Sequence, residues 1–178
     1  MGLVLFSTAM IFGQDWKGRE SWPDDFPRPP KTKKQLFYLQ RNVNSNTIAY
    51  DLNLQENGVV NTREPLDVYW MRYTGERNGV REELSWAQEM FAFGYSADTK
   101  SKEEFEIKLT AYKARKVNVK KINGQWAAIM SINGRECQLS NIYVYADESG
   151  IVPDVQHVDL YGKDLATEQA VHERFFNN

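Results

Sequence analysis

Short runs in which apolar and polar residues alternate, separated by turns rich in Asn and Gly, recur through the chain and constrain its fold most. The run TIAYDLNL (47–54) places Ile48, Tyr50 and Leu52 on one side and polar residues on the other. Since successive side chains of a strand point to opposite faces, this period of two predicts a half-buried strand. Strand-like runs occupy residues 35–41, 47–54, 66–73, 105–112, 117–122, 126–132, 136–146 and 152–162.

The connections between these runs are short. Residues 117–122 and 126–132 flank Asn-Gly-Gln, a sequence typical of a hairpin turn. Consecutive strands joined by tight turns favour antiparallel pairing, and a sheet of about eight strands twists and curls. We therefore expect a mainly β fold, either an antiparallel barrel or a strongly curved sheet. A β-sandwich-like α+β arrangement is the alternative.

One segment interrupts the strand pattern. Residues 81–93, REELSWAQEMFAF, have helical spacing, and Gly94 follows as a natural stop. This spacing predicts one helix packed on the sheet, with a shared face formed by Leu84, Ala87, Gln88 and Phe91. The tail, residues 163–176, fits either a second helix or a hairpin that turns around ATEQ (166–169).

The N-terminal region divides into two parts before the globular domain, which we place at residues 35–178. Residues 1–14 contain an apolar run too short to span a bilayer and typical of a signal-peptide core, although the first basic residue is Lys17. This run predicts export to the periplasm or cell envelope. The alternative is a cytoplasmic protein with a short apolar N-terminal element. Residues 15–34 hold four of the six prolines and form an extended arm.

Composition excludes several classes of function. The formal net charge of −2 lacks the basic excess of a domain that binds nucleic acid through phosphates. With Cys137 as the one cysteine and only two histidines, the chain has too few ligands for a usual zinc site, and we predict no metal and no cofactor. Cys137 falls in a strand pattern and is expected to be a small buried side chain.

The search for catalytic patterns leaves one pair. The chain has no G-x-S-x-G element and no Gly-rich phosphate loop before a helix. His157 and Asp159 lie two residues apart in a strand, so they share a face and could form an acid–base pair. The simpler interpretation, which we favour, is an edge histidine with a hydrogen-bonded neighbour.

The stretch PLDVYWMRY (65–73) is the densest aromatic run, and its period places Trp70 and Arg72 on one face. An arginine beside a tryptophan can stack on the ring or bind a carboxylate with two hydrogen bonds. Arg72 could anchor a ligand, or it could pair with Asp51 or with an acid on a neighbouring strand. Further polar tips for a ligand site would come from Tyr38, Gln40, Tyr50, Asn141 and Tyr143.

Four stretches, QLFYLQRNVNSNTIAYDLNL, EPLDVYWMRYTGE, INGRECQLSNIYVY and VPDVQHVDLYG, together resemble a family of small proteins of unknown function typical of exported proteins of the Bacteroidetes. The resemblance covers about residues 35–175. It implies a single domain and export, and it brings no activity, cofactor or catalytic residue. In that family the tail tends to be a hairpin with a Gly-containing turn, a glycine that ATEQ lacks.

These observations favour a non-enzymatic binding module for a small amphipathic or anionic ligand, with Arg72 as anchor and Trp70, Tyr38 and Tyr50 as walls. One alternative is a hydrolase acting on a saccharide or ester through His157 and Asp159. Another is an envelope interaction module that docks a protein partner through its aromatic arm. The identity of any protein partner is unknown from the sequence, and no transmembrane span is expected in the mature chain.

Overall fold

Eleven strands form one sheet in the computed structural model, which describes residues 27–42, 44–147, 149 and 154–176. The predicted signal peptide and most of the predicted arm therefore lie outside the described residues. The strands are β1 Gln35–Arg41, β2 Asn44–Leu52, β3 Leu66–Arg72, β4 Val80–Glu83, β5 Tyr95–Ser101, β6 Glu104–Leu109, β7 Tyr112–Ile122, β8 Gln125–Ile132, β9 Arg135–Asp147, β10 Asp154–Asp164 and β11 Ala170–Phe176.

Strand β9 is the centre of the sheet. The strand order is β4-β3-β2-β1-β9-β8-β7-β6-β5, and β10 and β11 continue from the other edge of β9. The first part of β9 pairs with β8, whereas its later part pairs with β1 in parallel. All other strand pairs among the described residues are antiparallel. The sheet curls strongly into an open half-barrel, which confirms the predicted fold class.

We call the face that carries Ile48, Tyr50 and Trp70 the inner face, and it holds the hydrophobic core. Phe37 and Tyr50 stack there with ring centroids 4.5 Å apart. At the far side, Phe175 of β11 stacks on Tyr112 of β7 at 4.8 Å, although neither strand is the other's neighbour in the sheet. This contact shows how strongly the sheet curls, because it joins two strands that are not neighbours in the sheet across the inner face.

The predicted helix is shorter than expected. Residues 81–83 belong to β4, where Arg81 pairs with Met71 in the ladder, so the prediction of a helix from residue 81 is wrong at its first turn. The helix, α1, spans Trp86–Gln88 and continues as a π-helical turn, Glu89–Phe93. Pairing with β3 holds residues 81–83 in a strand, and this pairing outweighs the helical spacing of their side chains. No helix in the described residues is long and apolar enough to cross a membrane.

The strand count exceeds the predicted eight, and the tail is a strand. β11 pairs with β10 along its length, which decides for the hairpin. The turn needs no glycine because Glu168 adopts the left-handed conformation, with φ of 59°, and Asp164 accepts hydrogen bonds from the amides of Ala166 and Thr167. Strand β5 was not predicted, because six of its seven residues are exposed and its sequence lacks apolar alternation.

Candidate functional site

An open cleft of about 590 Å³ lies between α1, β3 and β5 on the inner-face side of the sheet. Clefts that bind small ligands commonly measure about 300–1,000 Å³, and the volume of this cleft falls in that range. The apolar part of the lining comes from Leu66, Val68, Trp86, Met90, Tyr95 and Ala97. The polar part comes from Arg63, Glu64, Glu89 and Thr110.

The cleft exists because the half-barrel does not close between β3 and β5, a gap we call the seam. Strand β4 pairs with β3 only from Tyr69 to Arg72, so the first residues of β3 have no strand on that side. There the hydroxyl of Tyr95 accepts a hydrogen bond from the amide of Leu66 and donates one to its carbonyl, both at 2.9 Å. One side chain thus stands where a neighbouring strand would be.

Helix α1 forms the roof of the cleft and is held by the core beneath it. Ser85 caps its first turn together with Gln88, in a reciprocal capping box. The Trp70 indole packs edge-on against Phe93 at 5.2 Å and its Nε1 lies 3.4 Å from the Gln88 side-chain oxygen. The buried Tyr50 hydroxyl donates to the Phe93 carbonyl at 2.8 Å. Two of the predicted ligand residues therefore position the roof.

Gly94 joins this roof to β5. A Cβ at Gly94 would lie 2.2 Å from the Glu89 carbonyl oxygen, which is the acceptor of the Gly94 amide at 3.0 Å. The Gly94 carbonyl in turn accepts from Thr110 at 2.8 Å. Only glycine allows the end of the π-helical turn to approach this closely, so this residue sets the shape of the cleft.

Large apolar side chains on α1 face outward. Trp86, Met90 and Phe91 are 67%, 50% and 70% exposed, and the Trp86 and Phe91 rings meet edge-to-face at 6.0 Å. The predicted core-facing stripe is correct for Leu84 but wrong for Phe91, because α1 has too few turns for its helical period to continue. Exposed apolar groups beside a cleft mark an interaction site more often than isolated ones do.

Arg72 binds a carboxylate of its own chain. Its Nε and Nη2 atoms donate to Glu82 on β4 at 2.9 and 3.2 Å, and its guanidinium lies 4.4 Å from the Trp70 ring centroid. The hydrogen bonds from Arg72 lower the pKa of Glu82. Asp51, the other acid considered as its partner, instead accepts from the Tyr69 hydroxyl at 3.1 Å. Trp70 and Arg72 share one face, as their spacing predicts.

The remaining predicted ligand residues lie on the opposite, outer face. Residues in register across the sheet share a face, and Tyr38 is opposite Asn141 while Gln40 is opposite Tyr143 and Thr47. The Gln40 side chain confirms this placement, because its nitrogen donates to Thr47 at 3.3 Å and to the Pro27 carbonyl at 3.2 Å. The set proposed from sequence is therefore divided between two faces and does not gather at one place.

His157 and Asp159 also lie on the outer face, away from the cleft. Asp159 is 0% exposed and accepts two hydrogen bonds from Arg174 at 2.8 Å and one contact from His172 Nε2 at 2.8 Å. Burial opposes its ionisation, but the hydrogen bonds from His172 and Arg174 outweigh burial and lower the pKa of the Asp159 carboxyl. The carboxylate is thus a buried acceptor for the Arg174 and His172 side chains of β11.

His157 is next to this carboxylate but makes no hydrogen bond with it. Its Nε2 lies 3.6 Å from Asp159 Oδ2, and its ring stacks on Tyr145 at 4.9 Å. Burial first, and then the charge of Arg174, lowers the pKa of His157, so the neutral ring is favoured. The Nε2 atom is buried and has no hydrogen-bond partner among the described residues.

No group of three or more His, Cys, Asp or Glu side chains in the described part of the chain is arranged to hold a metal ion. Cys137 is fully buried in the core, as expected from its strand position. The cleft residues that sequence reasoning missed come from the loop before β3 and from β5. No periodic signal pointed to either Arg63 or Ala97, because Arg63 lies in a loop and Ala97 lies in an edge strand that is exposed on both sides.

Comparison with known proteins agrees with the sequence resemblance. The model of a family described as a domain of unknown function, DUF4833, matches residues 37–174. The chain belongs to this family. Neither the curated proteins nor the solved structures include a significant match. For this DUF4833 protein, membership therefore gives the extent of the matched domain and no activity, and the function must be argued from the cleft.

Proposed function

We propose that this DUF4833 protein is a non-enzymatic binding module that holds an amphipathic ligand in the cleft. The observation that carries the proposal is the combination of a cleft of about 590 Å³ with exposed Trp86 and Met90 at its mouth. Removing such side chains from water on binding is favourable at about 25 cal/mol per Å² of apolar area. Arg72, the ligand anchor predicted from the sequence, is bound to Glu82. The arginine that lines the cleft is Arg63, which therefore takes the role of the cationic contact in this proposal.

An enzymatic role receives less support. The candidate pair His157 and Asp159 lies on the outer face. Asp159 belongs to a row of register partners that crosses the sheet through Tyr143, Gln40 and Thr47 to Met71, and all members of this row share one face. Val68, which lines the cleft, is three residues from Met71 in the same strand, so the two side chains point to opposite faces of the sheet. A ligand in the cleft could not reach this pair. The hydrolase hypothesis would require a separate site.

Titration with 1-anilinonaphthalene-8-sulfonate tests the cleft, because the dye is apolar with one anionic group and fluoresces when it leaves water. We expect saturable binding that Ala97→Trp abolishes, since a tryptophan at this lining position fills the space. Ala87→Trp is the matched control, because Ala87 is exposed on α1 and outside the lining. Equal dye binding by both variants would refute the location of the site.

A neutral relative of the dye separates charge from apolar contact. N-phenyl-1-naphthylamine lacks the sulfonate, so Arg63→Ala should weaken the anionic dye about threefold to fivefold and leave the neutral dye unchanged. Equal effects on both dyes would remove Arg63 as the anion contact. Native mass spectrometry of protein purified from its own host would then show which natural molecule, if any, remains bound.

Export is the second part of the proposal, supported by the apolar run in residues 1–14 and by the resemblance of the globular part. Fractionation of the native host, followed by mass spectrometry of the protein's first peptide, tests it. We expect the protein in the envelope or periplasmic fraction with a mature N-terminus near residue 15. A cytoplasmic protein that retains Met1 would contradict export.

A further inference from the structure

The charges in the lining of the cleft do not balance. Glu64, from the loop before β3, and Glu89, from the π-helical turn, both line it, and Arg63 is the one basic side chain among the described lining residues. Neither carboxylate has a hydrogen bond or an ion pair within the part of the chain that the structure describes, and Arg63 pairs with neither of them. The lining therefore carries one more negative charge than positive charge, and both negative charges are available to a ligand.

The hydroxyl of Tyr95 lies near both of these carboxylates. Burial is the main reason that the pKa of Tyr95 rises to about 12. The charges of Glu64, Asp67 and Glu89 add to this rise, so all three act on the same point of the cleft wall. Asp67 is already neutralised by Arg81, which donates two hydrogen bonds to it at 2.9 and 2.8 Å. Glu64 and Glu89 are the two of the three that lack such a partner among the described residues.

Elsewhere the protein places its own cations against an aromatic ring and a carboxylate together. Two arginines do so: Arg72 contacts Trp70 and Glu82, and Arg81 contacts Tyr69 and Asp67. Their guanidinium carbons lie 4.4 and 3.9 Å from the ring centroids. The cleft combines the same two kinds of group, because Trp86 and Glu89 are three residues apart on one helical face and both line it. No cation of the described residues lies over the Trp86 ring.

On the basis of the binding function proposed above, we infer that the ligand is an amphipathic organic cation whose ammonium group lies between Glu64 and Glu89 and against the Trp86 ring. Its apolar body lies along the wall formed by Val68 and Ala97. Attraction to a ring face and to carboxylates is the usual means by which proteins recognise an ammonium group. An anionic dye can still bind through its apolar rings, but it leaves both carboxylates without a partner.

Matched amphiphiles test the charge of the ligand. Octylammonium, octanol and octanoate share one alkyl chain and differ in charge, and each is titrated against the full-length protein loaded with N-phenyl-1-naphthylamine. We expect octylammonium to displace this neutral dye at a concentration about tenfold lower than octanol, since two solvated charge pairs and one ring contact each add a small factor. Octanoate should be no better than octanol. High salt should reduce the advantage of octylammonium, because salt screens solvated charges.

Variants of the protein assign the effect to named side chains. Glu64→Gln and Glu89→Gln should each weaken octylammonium about threefold and leave octanol unchanged. Glu56→Gln is the matched control, because Glu56 is an exposed acid in a turn outside the lining. Trp86→Leu keeps an apolar side chain but removes the ring, and should weaken octylammonium more than octanol. Phe91→Leu, at an exposed ring outside the lining, is its control.

The outcomes distinguish this inference from the binding function itself. If octanol competes as well as octylammonium, or if the Glu64 and Glu89 variants behave like Glu56→Gln, the cationic ligand is refuted and the binding function stands. Octanoate as the strongest competitor would refute it as well. An advantage of octylammonium that persists in Ala97→Trp places the cation elsewhere, which also refutes the inference. If the neutral dye itself does not respond to Ala97→Trp, both proposals fail. Circular dichroism of each variant confirms that it is folded.

Discussion

Removing the charge of Asp159 should destabilise the protein strongly, because this carboxylate is fully buried and neutralises Arg174. Asp159→Asn keeps the shape of the side chain and one acceptor oxygen, but removes the negative charge that Asp159 places against Arg174, whose side chain is 11% exposed. Breaking one partner of a buried ion pair costs about 3–5 kcal/mol, and the retained acceptor places the expected loss near the lower value, about 3 kcal/mol.

For a chain of this length, each kcal/mol shifts the melting temperature by about 2–4 °C, so the variant should melt about 6–12 °C lower. Urea unfolding at neutral pH, followed by circular dichroism, measures the free energy directly. Asp154→Asn is the control, since Asp154 begins the same strand, is exposed, and its carboxylate accepts a hydrogen bond from the Gln156 side chain. A loss below about 1 kcal/mol, similar to that of the control, would refute the structural role of Asp159.

Three further predictions follow from the contacts described. The pKa of His157 is lowered by burial, so the unfolded chain binds its proton at a higher pH than the folded chain; the free energy of unfolding should fall as the pH decreases below about 6.5, and His157→Gln should flatten this part of the curve in urea titrations. Gly94→Ala places a methyl group against the Glu89 carbonyl and should cost about 1–3 kcal/mol and reduce dye binding, whereas unchanged melting and dye binding would contradict the close approach. Arg72→Met should change stability by less than about 1 kcal/mol and leave dye affinity intact, because its partner Glu82 is partly exposed to water, which weakens the ion pair; loss of dye binding in this variant would restore Arg72 as the ligand anchor.

Alternation in the sequence predicted the curved sheet because it marks the residues that face the core, even in β2, which is buried on both faces. Ile48 and Tyr50 in β2, and Phe105 and Ile107 in β6, are buried on the face that the period of two assigns to them. The same period placed Trp70 and Arg72 together, and their contact at 4.4 Å confirms it. Local turn chemistry predicted the Asn-Gly hairpin between β7 and β8, where Asn123 and Gly124 have positive φ.

The candidate site could not be predicted in the same way, because it depends on which strands remain unpaired. Val68 has the sequence pattern of any inner-face residue, and nothing in that pattern reveals that the β3–β4 ladder stops at Tyr69 beside the cleft. Asp159 alternates as an outward-facing residue would, yet it is buried with Arg174 of the adjacent strand. Neither fact can be predicted from the sequence, because the partner strands are separate segments and contacts between them produce no periodic pattern.

The parallel pairing of β1 with β9 has a consequence for synthesis on the ribosome. The bonds between Asn42 and Ala146 join residues 104 positions apart, so one edge of β1 stays open until most of the chain has emerged. Contacts this distant in sequence form late and slow folding, and exposed strand edges aggregate in the meantime. A nascent chain released before β9 would carry a complete β1–β4 meander with a bare edge, which makes early truncation more dangerous than truncation within β11.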